Sequence, residues 1–324
     1  MIFRGAIQEP KPEWCQLAID VFVYAAVIYA SLFALMSLGL TLTYMTTEVP
    51  NFAHGSLVTL GAYVAYSLYR FIGLNAYGAI PIAFLLSGLV ALAMYRIVLR
   101  PLAARGSSTI SLMIATLSID VVFVGIFGIY TDLLNQVLRF SDSRYFVLIG
   151  LDFSLYGQRG VFYVATVLLA IITVTLYLVL TRTRFGLAMR ASVENPSLAM
   201  IDGINVQRVY IVSWLIGGGL AGLAGAIIIL WVPGSPHIGT DLIIAIFSAS
   251  ILGGMKNIYG SVIGGVLVGG GEIFVTVYAA RLLGSWVMDY QIGVPLLIMA
   301  LTLLLAPKGI TALKWGSLLE SRGS

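Results

Sequence analysis

The sequence predicts an all-α protein, a polytopic transmembrane helix bundle of about eight or nine membrane segments that include interrupted or re-entrant helices. Three observations carry this. Hydrophobic residues make up 60% of the 324 and charged residues only 10%. A soluble domain carries about 25% charged residues, so this chain lacks the polar side chains to cover itself. Mean hydropathy is +1.00. The apolar residues also come in runs of about 20, which an α-helix rising ~1.5 Å per residue needs to cross ~30 Å of hydrocarbon.

In order, the predicted spans are Ile19–Thr43, Ser56–Ile72, Ala76–Val98, Ser108–Tyr130, Val161–Leu180, Val209–Trp231, Ile258–Ala280 and Ile292–Ala306. A further piece, Asp241–Gly253, has only 13 residues. As a helix it covers about 20 Å, either a crossing at a thin spot or a half-helix that enters and stops. Residues 1–18 form a polar N-terminal segment containing Arg4 and Lys11, without the apolar core of a cleavable signal peptide. Residues 19–310 form the transmembrane domain, 181–209 its basic cytoplasmic loop, and 311–324 a C-terminal tail. A lone Cys15 leaves no intramolecular disulfide.

Basic residues orient the chain. Arg96, Arg100 and Arg105 flank one loop, Arg182, Arg184, Arg190 and Arg208 another, and Lys308, Lys314 and Arg322 lie in the tail. The loop at 131–159 balances Asp132, Asp142 and Asp152 against Arg139, Arg144 and Arg159. The positive-inside rule puts the first set, and the C-terminus, in the cytoplasm. The N-terminus is then external if Asp241–Gly253 crosses. The net charge of +4 rests on cations dispersed at helix ends, not on a patch interleaved with aromatics, so nucleic acid is not an expected partner.

Missing motifs exclude several chemistries. There is no G-x-x-x-x-G-K-[ST] phosphate loop, no H-E-x-x-H and no G-x-S-x-G. The two histidines, His54 and His237, are far apart in sequence with no clustered carboxylates, so no metal or other cofactor is expected. Transport, channel and scaffold roles survive, and none makes the chain an enzyme.

Against this background two polar interruptions stand out. Glu48–Tyr63 reads EVPNFAHGSLVTLGAY, and residues 251–265 read ILGGMKNIYGSVIGG. The first is either a short cytoplasmic turn or polar backbone held inside the bundle, where non-helical backbone survives only under protein or beside water. Asn51, Gly55 and Ser56 find counterparts in Asn257, Gly260 and Ser261. Paired glycine-interrupted segments in two halves point to a transport pathway. Asp120, mid-span, costs about 2.5–3.5 kcal/mol on insertion scales. It is either a pathway group or one end of an interhelical hydrogen bond, and Glu272 in GGGEIF invites the same choice. The run GGGLAGLAG, Gly217–Gly225, reads as close helix packing.

In the loop TRTRFGLAMRASVENPSLAMIDGINVQRV, Asn195 is an N-cap for a helix opening at Pro196. Leu198, Met200, Ile201 and Ile204 form a short apolar stripe that wants a groove on another protein or the lipid surface. Ser197-Leu198-Ala199-x-x-x-Gly203 is similar to the Glu-Ala-Ala-x-x-x-Gly coupling helix of ABC importer permeases, departing at the first two positions. With GLTLTY, NFAHGSLVTLGAY, GGGLAGLAGAIII, ILGGMKNIYGSVIGG and LLLAPKGI in this order, roughly residues 25–310 resemble the LivH-type permease of branched-chain amino acid ABC importers.

Besides the lipid membrane, the resemblance implies three kinds of partner: a second homologous permease subunit, two ATP-binding ABC ATPase subunits and an extracytoplasmic solute-binding protein. It implies alternating access, with Glu194, Asn195, Pro196, Ser197, Ala199 and Gly203 in ATPase coupling. Pathway candidates are Asn51, His54, Ser56 and Thr59 from the first break and Ser248, Ser250, Asn257 and Ser261 from the second. Neutral polar groups suit a passing, weakly held substrate. The rival readings are an ion-gradient-driven secondary transporter, which usually places charged relays in its spans, and a passive channel for a small neutral solute such as urea.

Overall fold

The computed structural model describes residues 13–140 and 142–312. The polar start through residue 12, and the tail from 313 with Lys314 and Arg322, lie outside the described residues. The chain runs as α1 (Glu13–Thr47), α2 (His54–Ile72), α3 (Ala76–Met94), α4 (Arg100–Ala104), α5 (Thr109–Gln136), α6 (Gly160–Arg182), α7 (Arg184–Glu194) and α8 (Pro196–Ile201). It continues through α9 (Val206–Ile228), α10 (Ile238–Gly253), α11 (Ile258–Leu283) and α12 (Gly293–Leu305). Among the described residues strand is confined to one hairpin, β1 (Ser154–Leu155) with β2 (Gln158–Arg159).

Six of the described helical stretches are long and apolar enough to cross a membrane, while α10 and α12 are shorter. Helix α1 outlasts its expected range, 35 residues against Ile19–Thr43. Together α1 and α9 form the centre, with 83% and 78% of their most apolar windows buried. For α5 and α6 the share is 17%, so these two are peripheral.

Glycine sets how closely the central helices approach. A Cβ on Gly217 would meet Gly39 and Thr43 of α1, one on Gly218 or Gly222 would meet Ala91 or Ser87 of α3, and one on Gly225 would meet Val58 of α2. The run therefore serves three neighbours around α9, not one narrow face. In α11, Gly264 and Gly265 do the same for α10 and α1.

Between α3 and α4 the chain makes a π-helical turn, Tyr95–Leu99. Pro101 explains it. Proline has no N–H for the carbonyl of Ile97 and its ring crowds that oxygen, and the wider turn relieves the clash.

Basic residues collect at one end of the bundle, where Lys256 and Lys308 line one cavity and Arg100 another. The opposite end is closed by the 137–159 loop. Phe146 stacks on Tyr66 at 4.3 Å and exchanges backbone hydrogen bonds with Gly234 at 3.1 and 2.9 Å. Tyr77 Oη donates to Asp152 Oδ1 at 2.5 Å.

Two segments turn back along the bundle, one from each end, the first largely buried and the second largely exposed on its outside. The first is 48–53, after α1. The second, after α11, was not expected: Gly284 (φ +107°) opens a 3-10 turn, Ser285–Tyr290. Gln291 Nε2 then donates to Glu272 Oε1 at 2.6 Å. Glu272 lies about 16 Å along the axis from the end of α11, so α12 starts below the outer rim.

Candidate functional site

At Glu48 (φ 54°) the chain leaves α1 in a left-handed turn, and Val49, Asn51, Ala53 and His54 that follow are buried. The stretch is thus backbone held inside the bundle, not an exposed turn. Thr116 of α5 serves its freed polar groups: Thr116 Oγ1 accepts from Phe52 N–H at 3.3 Å and lies 3.3 Å from Pro50 O. His54 Nε2 is 3.0 Å from Met36 O. A carbonyl only accepts, so Nε2 carries the proton and Nδ1 is an acceptor. Met36 sits about 16 Å along α1 from its C-terminal end, which places the start of α2 deep in the bundle.

Two helix N-termini meet there. Neither α2, after Ala53, nor α10, after His237, has a side-chain cap. Instead Gly239 N–H donates to Thr59 Oγ1 at 3.0 Å, and the Gly55 and Gly239 backbones touch so closely that a Cβ on either would strike the other's carbonyl. Phe52 and Phe247 lie 5.0 Å apart between ring centroids. Both amide atoms of Asn51, His54 Nδ1, Thr240 Oγ1 and Ser248 Oγ are buried without a hydrogen-bond partner. A buried polar group left unmatched costs about 1–3 kcal/mol, so five such atoms on the first break, the start of α2 and α10 need an account beyond packing.

The remaining candidates separate into three places. Ser56 Oγ donates to Asp120 Oδ1 at 2.6 Å, which ties the intramembrane acid on peripheral α5 to the start of α2. Ser250 and Ser261 face α1: Ser250 Oγ is 2.6 Å from Thr41 Oγ1, and Ser37 Oγ donates to Ser261 O at 2.9 Å. Asn257 stands apart, capping α11 with its Oδ1 accepting from Tyr259 N–H and Gly260 N–H, each at 3.1 Å. It lines a cavity of ≈ 560 Å³ at the basic end with Tyr44, Lys256 and Lys308. Among the described residues no group of three or more His, Cys, Asp or Glu could hold a metal.

The 181–209 loop is a helical hairpin. Asn195 Oδ1 accepts from Leu198 N–H at 3.0 Å, Pro196 takes the first helical turn, and Gly203 stops the helix at φ +80°. Ala199 is buried, Glu194 and Ser197 are exposed, and Leu198, Met200 and Ile201 project at 55%, 58% and 80% exposure. Sequence reasoning missed α7. Its signal was there: Thr183 as N-cap, accepting from Gly186 N–H at 3.2 Å, and buried Met189 and Ser192 at helical spacing. It also missed the ion pair of Lys256 with Glu48, which joins the turn before α11 to the end of α1. Glu48 as partner holds the Lys256 ammonium above its ordinary pKa.

Residues 22–305 match the model of a family described as the permease component of the branched-chain amino acid transport system. A probable branched-chain amino acid transport permease protein LivH from Methanocaldococcus jannaschii is 43% identical, over 93% of this chain and 95% of that one. The high-affinity branched-chain amino acid permease LivH of Escherichia coli K12 is 26% identical over 89% and 94%. The ribose import permease RbsC of the same strain is 29% identical over 73% and 72%. Among solved structures, PsaBC from Streptococcus pneumoniae in complex with Fab shares the fold, with a TM-score of 0.51 at 13% identity over 94% of this chain and 99% of that one. The chain belongs to the branched-chain amino acid transport system permease family.

Proposed function

We propose that this permease subunit carries branched-chain or closely related amino acids through the crossing of α2 and α10, driven by ATP hydrolysis in partner subunits. The observation that carries the pathway is the buried, uncapped start of α2 beside the start of α10, with Asn51, His54 and Ser248 offering unmatched polar atoms. Neutral donors and acceptors there can hold a polar solute without trapping it. Helix N-termini at mid-bundle favour a carboxylate. Ser56 and Thr59 position the two helix starts, Ser250 and Ser261 line α1, and Asn257 sits at the cytoplasmic mouth.

In this reading the alternating directions of α1, α2, α3, α5, α6, α9, α10, α11 and α12 make nine membrane segments, with the C-terminus cytoplasmic. The α7–α8 hairpin, from Glu194 to Gly203, docks the ATPases through its exposed Leu198, Met200 and Ile201. A second permease, two ATPases and an extracytoplasmic binding protein complete the importer. Ion-gradient transport is less well supported, because Asp120 and Glu272 are each engaged by a neutral neighbour, Ser56 and Gln291.

The test is uptake of labelled leucine into proteoliposomes that hold the reconstituted complex and its binding protein. Replacing Asn51 and His54 with leucine should abolish uptake and leave basal ATP hydrolysis in place. Full uptake by that variant would move the pathway elsewhere. Uptake that follows an ion gradient and ignores ATP would overturn the importer reading itself.

A further inference from the structure

A second cavity, ≈ 560 Å³, lies under the cytoplasmic hairpin, enclosed by the end of α1, the π-turn with α4, the start of α5, the α7–α8 junction and the start of α9. Its size suits a small molecule, whose sites run to about 300–1,000 Å³. Its lining is chemically mixed. Arg100 brings a guanidinium, Glu48 and Glu194 bring carboxylates, and Val49 and Leu99 supply buried apolar surface. Ser192 also lines it, fully buried, with an Oγ that has no hydrogen-bond partner. Among the described residues Arg100 and Glu194 take part in no ion pair, whereas Glu48 is engaged by Lys256.

We infer that this cavity is a cytoplasmic binding site for a free, zwitterionic α-amino acid with an apolar side chain. The charges decide the class. With Glu48 paired to Lys256, a phosphate or dicarboxylate would gain Arg100 and be repelled by the unpaired Glu194, and a simple cation would meet the reverse. A zwitterion satisfies both signs. Its carboxylate takes the planar fork of Arg100, its ammonium takes Glu194, and its side chain lies on Val49 and Leu99.

The location gives the site a consequence. Its walls are the coupling hairpin on one side and Glu48–Val49, the start of the first break, on the other. An occupant ties the two together and, on the transport reading above, opposes their relative motion when the product accumulates inside. Binding itself does not depend on that reading.

The experiment is equilibrium binding of labelled L-leucine to the permease–ATPase complex in nanodiscs, without the binding protein. Saturable binding is expected. Isoamylamine and 4-methylpentanoate, each lacking one charge, should compete at least tenfold more weakly. Arg100→Gln should weaken leucine at least tenfold and leave isoamylamine unchanged; Glu194→Gln should weaken leucine and leave 4-methylpentanoate unchanged. Both side chains are exposed, and co-elution with the ATPases verifies assembly. Absence of saturable binding, leucine affinity unchanged in both variants, or equal competition by the singly charged analogues would each overturn the site. Failure of ATP-driven uptake in the separate vesicle assay would instead count against the importer reading and leave the binding result standing.

Discussion

At the scale of single residues, the glycines divide into those that hold helices together and those that do not. Gly239 faces the Gly55 carbonyl, so Gly239→Val drives side-chain atoms into backbone that has no room to yield. Overpacking of this kind costs about 3 kcal/mol, and it should part α2 from α10. The expected outcome is a lowered unfolding midpoint in detergent with uptake lost. Gly270, in α11, has nothing within 4 Å of the position a Cβ would take. Gly270→Ala should therefore raise the midpoint, since alanine is better than glycine in a helix by about 0.5–1 kcal/mol. Equal effects from the two would mean that the Gly55–Gly239 contact does not govern stability. The sequence made close packing legible in both glycine runs, because small residues at helical spacing have few other uses. It could not say which neighbour each glycine meets. That depends on the rotation of α9 among α1, α2 and α3, and a repeat in one helix does not encode it.

Elements were legible where a residue carries its own local instruction. Asn195 followed by Pro196 marks a helix start from sequence alone, and the cap is formed. The break after Glu48 announces itself because Pro, Asn and His cannot all face lipid. After Gly284 the gap between Ala280 and Ile292 was legible, but not that this segment turns back along α11, which only the Gln291–Glu272 hydrogen bond reveals. The π-turn stayed hidden for a different reason: Pro101 implies a distortion but leaves open whether the helix bends, stops or widens. Gly203 belongs with the legible signals. Its φ of +80° is a conformation that costs a β-branched residue about 1–2 kcal/mol, and no neighbouring atom lies within 4 Å of where a side chain would go. Gly203→Val thus acts on the backbone of the α8–α9 turn and not on packing. The complex should still assemble, and ATP hydrolysis should persist while uptake falls. Normal stimulated uptake in that variant would remove this turn from coupling.

Across the whole molecule, the ion pair of Glu48 with Lys256 joins the two polar breaks at the basic end of the bundle. Both side chains are 61% exposed, so the pair adds at most about 1 kcal/mol to stability. Its position matters more than its strength. It ties the end of α1, where the first break begins, to the turn before α11, where the second begins. About 1.4 kcal/mol already shifts a two-state equilibrium tenfold, so on the proposed alternating-access cycle even a weak bridge between the two breaks would bias which side is open. Lys256→Glu should leave the unfolding midpoint nearly unchanged, raise basal ATP hydrolysis several-fold and reduce coupled uptake. Glu48→Lys combined with Lys256→Glu should restore both, because the attraction is remade with its sign exchanged. The pH dependence follows from the raised lysine pKa: the bridge is complete below the ordinary lysine range and is lost only as pH rises through the higher, bridged value. Between pH 7 and 9 the basal rate of the native complex should therefore show no loss of this bridge, while added salt should weaken it by screening an exposed pair. A double variant that stays as uncoupled as Lys256→Glu alone would show that the bridge holds no conformation, and the two breaks would have to be linked through α1 by Thr41 and Ser250 instead.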